Sequence, residues 1–334
     1  MKLSKKQKKI IFLVLGILIL AGVLFFLFSK EGTVFKASGE SEGLKKPEEA
    51  AKSPFSGVAC SNNQRRAFAV VLAQYPETMP LSSPSEADIV IEGPVANAGG
   101  VSRLIAIFQC QEPAEIGSIR SVRPYMADIA LGYDTIFSSW GGCDAGIERI
   151  KEIGLDWLDA RQNPGGAFFR KKNIAAPHNG FTSFEGLKKA SQSLGMRQEN
   201  QFDGYQFQNK NEIIIEKNSQ EIDINYHYPV KWVYESESGN YLRFWNNQKM
   251  IDRNTSKQVT AKNIVLMKTT ISSLSEGVAD VKVTGSGKAL IYQGGKEING
   301  TWKKENSRAK LTFFDESDNE IKFIPGQIWI EIVD

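Results

Sequence analysis

The stretch IGSIRSVRPYMADIALGYDTIFSSWGG, residues Ile116 to Gly142, puts a helix, a strand and a pair of arginines in one continuous unit, and the rest of the chain is read outward from it. Pro124 suits a first helical turn, where a missing N–H costs nothing, and Gly132 suits the position after the last turn. Between them Val122, Met126, Ile129, Ala130 and Tyr133 recur at helical spacing, which predicts an apolar stripe facing a core, with Asp128 directed away from it. Asp134 to Trp140 reads as a strand. Gly141-Gly142 then lets backbone come close to whatever lies at the strand's end. Arg120 and Arg123 fall at the helix start, where free N–H groups and the positive end of the helix dipole already favour an anion. Phosphate or carboxylate is the expected guest. The competing structural reading is that both arginines pair with Asp128, Asp88 or Glu92 and simply hold the helix in place.

Upstream, Ala67 to Ala73 reads as a buried strand, and Ala87 to Glu92 and Ser102 to Gln109 read as a hairpin across a Gly-rich turn. Downstream, Gly146 to Ala160 carries helical spacing through Ile147, Ile150, Ile153, Leu155 and Leu158. Thr182-x-x-Glu185 has the form of a capping box before a helix running to Met196. Helical spacing is lost beyond the polar, Gln/Asn-rich stretch 199–219. There short β-type runs alternate with turns such as Ser238-Gly239 and Gly294-Gly295. The predicted class is α+β: a mixed α/β domain over 55–198, a linker over 199–219 and a mostly antiparallel β domain over 220–334.

Before these lie a basic flank and an apolar run over 10–28, long enough to span a bilayer, and a Gly/Ser/Glu/Lys-rich tether over 31–54. Lysines ahead of the run predict a cytoplasmic amino terminus and extracytoplasmic domains, an uncleaved single-pass anchor being favoured over a cleaved signal peptide because no A-x-A pattern follows. The formal net charge of +3 comes from that flank. Residues 1–30 hold six lysines and no acid, and removing those six from 41 leaves 35 basic against 38 acidic residues. Nucleic acid therefore has no electrostatic footprint to bind.

Among reactive groups, Cys60, Cys110 and Cys143 form no C-x-x-C, so a structural zinc site is not expected. Two of the three can pair in an oxidising compartment, and the sequence does not choose which. Cys143 with His178 is a weak nucleophile pair on paper, and a buried bystander is the plainer reading of that cysteine. No Walker, dinucleotide or G-x-S-x-G signature is present; Gly285-Ser286-Gly287-Lys288 lacks the Walker spacing and opens a strand. His178, in the loop Pro177-His178-Asn179, is a candidate acid or base; His227, inside a strand pattern, is a weaker one.

The ordered set R-S-x-R-P-Y-x-x-D-x-A-x-x-Y-D over Arg120 to Asp134, Gly141-Gly142, F-F-R over Phe168 to Arg170, P-H-N over Pro177 to Asn179, Gly285 to Ala289, Gly300 to Lys304 and Pro325 to Trp329 resembles the YerB-like bacterial lipoprotein family across about residues 55 to 334. The resemblance implies an α/β amino-terminal domain and a β-rich carboxy-terminal one on the outer side of the cytoplasmic membrane, in a family of unknown function, and it carries over no catalytic residue. Two departures stand out. An apolar anchor replaces the family's lipid-modified cysteine, and Ala73-Gln74 stands where an Asp-Asn pair is expected, which weakens any mechanism needing a carboxylate there.

Two functions follow as expectations. The favoured one is a non-enzymatic envelope module with an anion-binding cleft formed by Arg120, Arg123, Arg170, His178, Asn179, Gly141 and Gly142, taking an anionic or phosphorylated envelope ligand or a protein partner and needing no cofactor. The alternative is a metal-dependent phosphotransferase or hydrolase, with Asp128 or His178 catalytic and Asp88, Glu92 and Asp128 holding a divalent metal.

Overall fold

The computed structural model describes residues 51–274 and 277–334. The expected membrane segment over 10–28, its basic flank and tether residues 31–50 lie outside the described residues; among those described, no helix is long and apolar enough to cross a membrane. Residues 51–54, at the end of the expected tether, belong to the folded unit. Ser53 is buried and its Oγ donates to Gln109 Oε1 at 3.1 Å.

In chain order the strands are β1 Phe68–Ala73, β2 Ile89–Pro94, β3 Ser102–Phe108, β4 Ile116–Gly117, β5 Ile136–Ser139, β6 Trp157–Asp159, β7 Phe169–Arg170, β8 Gly180–Thr182, β9 Gln206–Phe207, β10 Glu221–Ile224, β11 Val230–Glu235 and β12 Asn240–Trp245. They continue with β13 Gln248–Lys249, β14 Thr260–Ala261, β15 Asn263–Lys268, β16 Ile271–Ser273, β17 Ala279–Val281, β18 Gly285–Gln293, β19 Lys296–Lys304, β20 Thr312–Asp315, β21 Lys322–Phe323 and β22 Ile328–Val333. The helices are α1 Pro124–Gly132, α2 Asp144–Ile153 and α3 Phe184–Ser193.

One ten-stranded sheet, ordered β20-β19-β18-β15-β22-β2-β3-β1-β5-β6, draws on both the 55–198 and the 220–334 stretches. The join is β22, which pairs parallel with β15 on one side and with β2 on the other. The runs IWIEIV, NIVLM and IVIEG are buried on both faces, and two-sided burial is what makes parallel strands read as apolar runs without alternation. The antiparallel expectation holds for β10 to β14 and β18 to β20, but β15, β22 and β2 run parallel because the chain's last strand returns to the middle of the sheet.

Apolar side chains pack on each face of this sheet. One layer holds Ala69, Val71, Ile105 and Ile330 beneath α1. The other holds Val70, Leu72, Phe108 and Trp329 against α3 and the five-stranded sheet β10 to β14. The stretch 199–219 is tied in: Tyr205 is buried and its hydroxyl donates to Leu311 O at 2.8 Å.

α1 forms as its Pro124–Gly132 punctuation predicts, with Met126, Ile129 and Ala130 buried. Asp128 is buried too. It leaves the stripe only to ion-pair with Arg149 of α2, Nη2 to Oδ1 at 2.8 Å. The expected hairpin is β2–β3. The helix expected over 146–160 stops at Ile153, because Gly154 takes a left-handed conformation and its N–H closes on Ile150 and Lys151 carbonyls. Leu158 then lies in β6, parallel to β5. The cap of α3 is Ser183 and not Thr182: Ser183 Oγ accepts from Gly186 N at 3.1 Å.

Candidate functional site

β1 and β5 pair in parallel from Phe68–Ile136 to Val70–Ser138 and then diverge. The segment 118–122 fills the opening at their carboxyl ends: Arg120 N donates to Val71 O at 2.9 Å, Trp140 N to Arg120 O at 3.0 Å and Val122 N to Gly141 O at 3.0 Å. Crevices at the carboxyl ends of parallel strands are where open α/β sheets bind ligands. Register adds a third arginine, because Arg103 of β3 lies opposite Ala73, the last residue of β1.

Arg103, Arg120 and Arg123 form a cluster with no carboxylate within ion-pairing distance among the described residues. Arg103 is 4 % exposed; its Nη1 donates to Ser121 O at 2.5 Å and its Nε has no partner. Half-buried Arg120 donates from Nη1 to Pro177 O at 3.3 Å, and its buried Nε is likewise unpartnered. Arg123 donates to Val95 O at 3.0 Å and Val122 O at 3.1 Å. Burial, then the charges of Arg123 and Arg120, push the Arg103 guanidinium down to about 9. Burial and Arg123 also lower Arg120, with Tyr75 opposing. His178 sits below the usual imidazole value because of burial and Arg120, assisted by Arg103 and opposed by Glu77. Its Nδ1 is buried without a partner and its ring centre lies 5.2 Å from that of Tyr75, tilted against it.

The structural alternative for Arg120 and Arg123 is not what is found, since each proposed acid is engaged elsewhere. Asp128 holds Arg149; Asp88 accepts from Ser56 Oγ at 2.6 Å and Gln109 N at 2.8 Å; Glu92 pairs with Arg243. These three carboxylates are therefore not brought together, and among the described residues no group of acids, histidines and cysteines is placed to hold a metal. Arg170, expected over the two arginines, is held by Asn179 Oδ1 at 2.6 Å and lies 4.2 Å over Trp140. Gly141 and Gly142 are explained by packing: Gly141 N donates to Asp159 Oδ1 at 3.1 Å, and a Cβ would meet Arg161 at 2.7 Å on Gly141 or Val122 at 2.5 Å on Gly142. Cys60 and Cys110 form a disulfide; Cys143 is a free, half-buried thiol 3.8 Å from Val122 O, with no bond to His178. His227 meets Tyr228 edge to face.

Behind the arginines lies a buried polar network. Gln74 Nε2 and Ser102 Oγ both donate to Glu92, whose other oxygen pairs with Arg243. Arg243 Nη1 reaches Glu331 Oε1 at 2.8 Å, and Trp232 Nε1 donates to the same oxygen at 2.9 Å. The guanidinium lies 4.2 Å from the Trp329 ring and 4.9 Å from Trp232. Burial would lower Arg243, but Glu92 and Glu331 outweigh it and keep the cation charged. Burial and the Glu92 charge push Glu331 up to about 8.

The sheet order defines a mixed α/β unit with a β-rich carboxy-terminal half. The chain belongs to the family described as "Protein of unknown function (DUF3048)", whose amino-terminal domain model matches residues 55–197 and whose carboxy-terminal domain model matches 220–330. It is 29% identical over 289 residues to "Putative lipoprotein YerB" of Bacillus subtilis (strain 168), covering 84% of this chain and 86% of that protein. The crystal structure of YerB from Bacillus subtilis superposes with a TM-score of 0.76, covering 85% of this chain and 96% of that one at 29% identity.

Proposed function

We propose that this protein is a membrane-attached, extracytoplasmic binding module whose ligand carries an anionic group held by Arg120 and Arg123, with Arg103 behind them. The observation that carries this reading is the state of Arg103: a guanidinium 4 % exposed, beside two others, with no acid to neutralise it. Burying an uncompensated charge is costly, and an incoming anion removes that cost. The Cys60–Cys110 disulfide suits an oxidising compartment, as do the apolar run over 10–28 and the lipoprotein name of the Bacillus relative. The metal-dependent enzyme reading has less support, because Asp88, Glu92 and Asp128 already satisfy Gln109, Arg243 and Arg149.

The test is calorimetric titration of the full chain with phosphate and with sulfate. Saturable binding at millimolar concentrations, lost in an Arg120→Gln/Arg123→Gln variant that melts at nearly the wild-type temperature, is the expected result. Absence of binding in the wild type, or a large loss of melting temperature in the variant with binding retained, removes the reading.

A further inference from the structure

A chain of aromatic rings leads from the arginine cluster into a cavity. Tyr75, which shares the fields of Arg103 and Arg120, packs at a tilt against His178 at 5.2 Å and edge-on to Tyr228 at 6.3 Å. Tyr228 in turn packs 4.9 Å from Trp245. Trp245 lines a cavity of about 570 Å³ with Pro76, Met79, Pro80, Met250 and Ile251 as its apolar lining and the exposed Asn246, Gln248 and Lys249 at its rim. Trp245 is 6 % exposed and its Nε1 is buried without an acceptor, although a buried indole N–H ordinarily finds one. The volume falls within the range of small-molecule sites.

Resting on the anion reading above, we infer that the ligand is a saccharide bearing an anionic group: the anion meets Arg120 and Arg123, one sugar ring lies along Tyr75 and Tyr228, and the continuing unit enters the cavity at Trp245. The chemistry of the walls is what selects this class. A pyranose has an apolar C–H face that stacks on aromatic rings and an edge of hydroxyls that needs donors and acceptors. Half-buried Tyr228 and the apolar lining of the cavity supply the first, while the exposed side chains of Asn246, Gln248 and Lys249 supply the second. A simple inorganic anion uses none of them. A purely apolar chain makes no use of the exposed polar rim of Asn246, Gln248 and Lys249.

Calorimetry on the full chain tests this with four probes: inorganic phosphate, N-acetylglucosamine, N-acetylglucosamine 1-phosphate and glucuronic acid. The sugar phosphate is expected to bind at least about tenfold tighter than either phosphate or the neutral sugar. Tyr228→Leu is expected to erase that advantage while leaving phosphate affinity unchanged, and Arg123→Gln to weaken both. Saturation-transfer NMR on the wild type, which needs no variant to fold, is expected to mark the sugar's C–H face. The tighter of glucuronic acid and sugar phosphate identifies the anion as carboxylate or phosphate. If phosphate binds but neither sugar acid binds tighter, or Tyr228→Leu leaves the ratio intact, the saccharide inference falls and the anion site stands. If the neutral sugar binds as well as the charged ones, or nothing binds, both fall.

Discussion

Arg243 Nη1 reaches Glu331 Oε1 across 2.8 Å with both side chains fully buried, and Glu92 takes the guanidinium's other nitrogen from the opposite half of the sequence. Two carboxyl groups of the ten-stranded sheet that joins those halves thus share one cation supplied by β12 of the five-stranded sheet. Arg243→Ala leaves buried Glu92 without a counter-charge and Glu331 without its donor, and the expected loss is about 3–5 kcal/mol by urea denaturation. A loss below about 1 kcal/mol would mean that relaxation or water reaches the site and the network does not hold the halves together.

The proton on Glu331 gives this network a pH signature. Its carboxyl, raised to about 8 in the folded chain by burial and by Glu92, binds a proton that the unfolded chain releases near the ordinary carboxylate value of 4.5. A raised acid contributes stability that is complete below the unfolded value and is lost as pH climbs through the folded one. Wild-type stability is therefore expected to decline between about pH 5 and pH 8. Glu331→Gln keeps a neutral side chain of the same shape and should flatten that slope; an unchanged slope in the variant would assign the effect to another group.

The Cys60–Cys110 disulfide closes a loop of 50 residues that contains β1, β2 and β3. Constraining the unfolded chain over such a loop stabilises by about 2–5 kcal/mol. Cys60→Ser/Cys110→Ser should melt correspondingly earlier, and thiol titration of the unreduced wild type should find Cys143 as the one reactive group per chain after denaturation. Three thiols would show that the bridge does not form.

How far the sequence disclosed this molecule depends on whether the deciding partner was local. α1 was legible because its stripe and its Pro124 and Gly132 are local signals, and the β2–β3 hairpin because its strands flank one Gly-rich turn. β22 between β15 and β2 was not: no pattern within IWIEIV says which distant strands it joins. The helical spacing that carried the expected helix past Gly154 is a chance continuation, since Leu155 and Leu158 pack from a loop and a strand. Arg120, Arg123 and His178 are legible as candidates because they punctuate a helix start and a loop. Arg103, inside SRLIAIFQ, carries a different signal, a charge within a run buried on both faces, as do Glu331 and Glu92. Tyr75, Tyr228 and Trp245 carried no such signal, because aromatics in strands and turns are ordinary core residues.

Arg103 also separates ligand binding from architecture. If its charge serves a ligand, Arg103→Met should leave the ligand-free chain as stable as the wild type or slightly more stable, because replacing a buried charge by an apolar side chain of similar volume is often neutral or favourable. Phosphate affinity should fall about tenfold or more in the same variant. A loss of about 3 kcal/mol with phosphate affinity unchanged would instead make Arg103 a structural donor to Ser121.

His178 reports the state of the arginines. Burial, Arg120 and Arg103 hold its imidazole below 6.5 in the ligand-free chain. A group whose folded value is depressed binds fewer protons than its unfolded counterpart, so this residue makes the free chain less stable as pH falls below 6.5. An anion seated on Arg120 cancels part of the field and raises the imidazole, and linkage then requires that anion binding tighten as the pH drops through the same window. Sulfate isolates the effect because it does not itself titrate there. Between about pH 7.5 and pH 5 sulfate affinity is expected to rise in the wild type and to stay flat in His178→Gln, with the His178 ring resonances shifting to a higher midpoint on saturation. An affinity independent of pH in the wild type, with no movement of that midpoint, would place the bound anion away from His178 and Arg120.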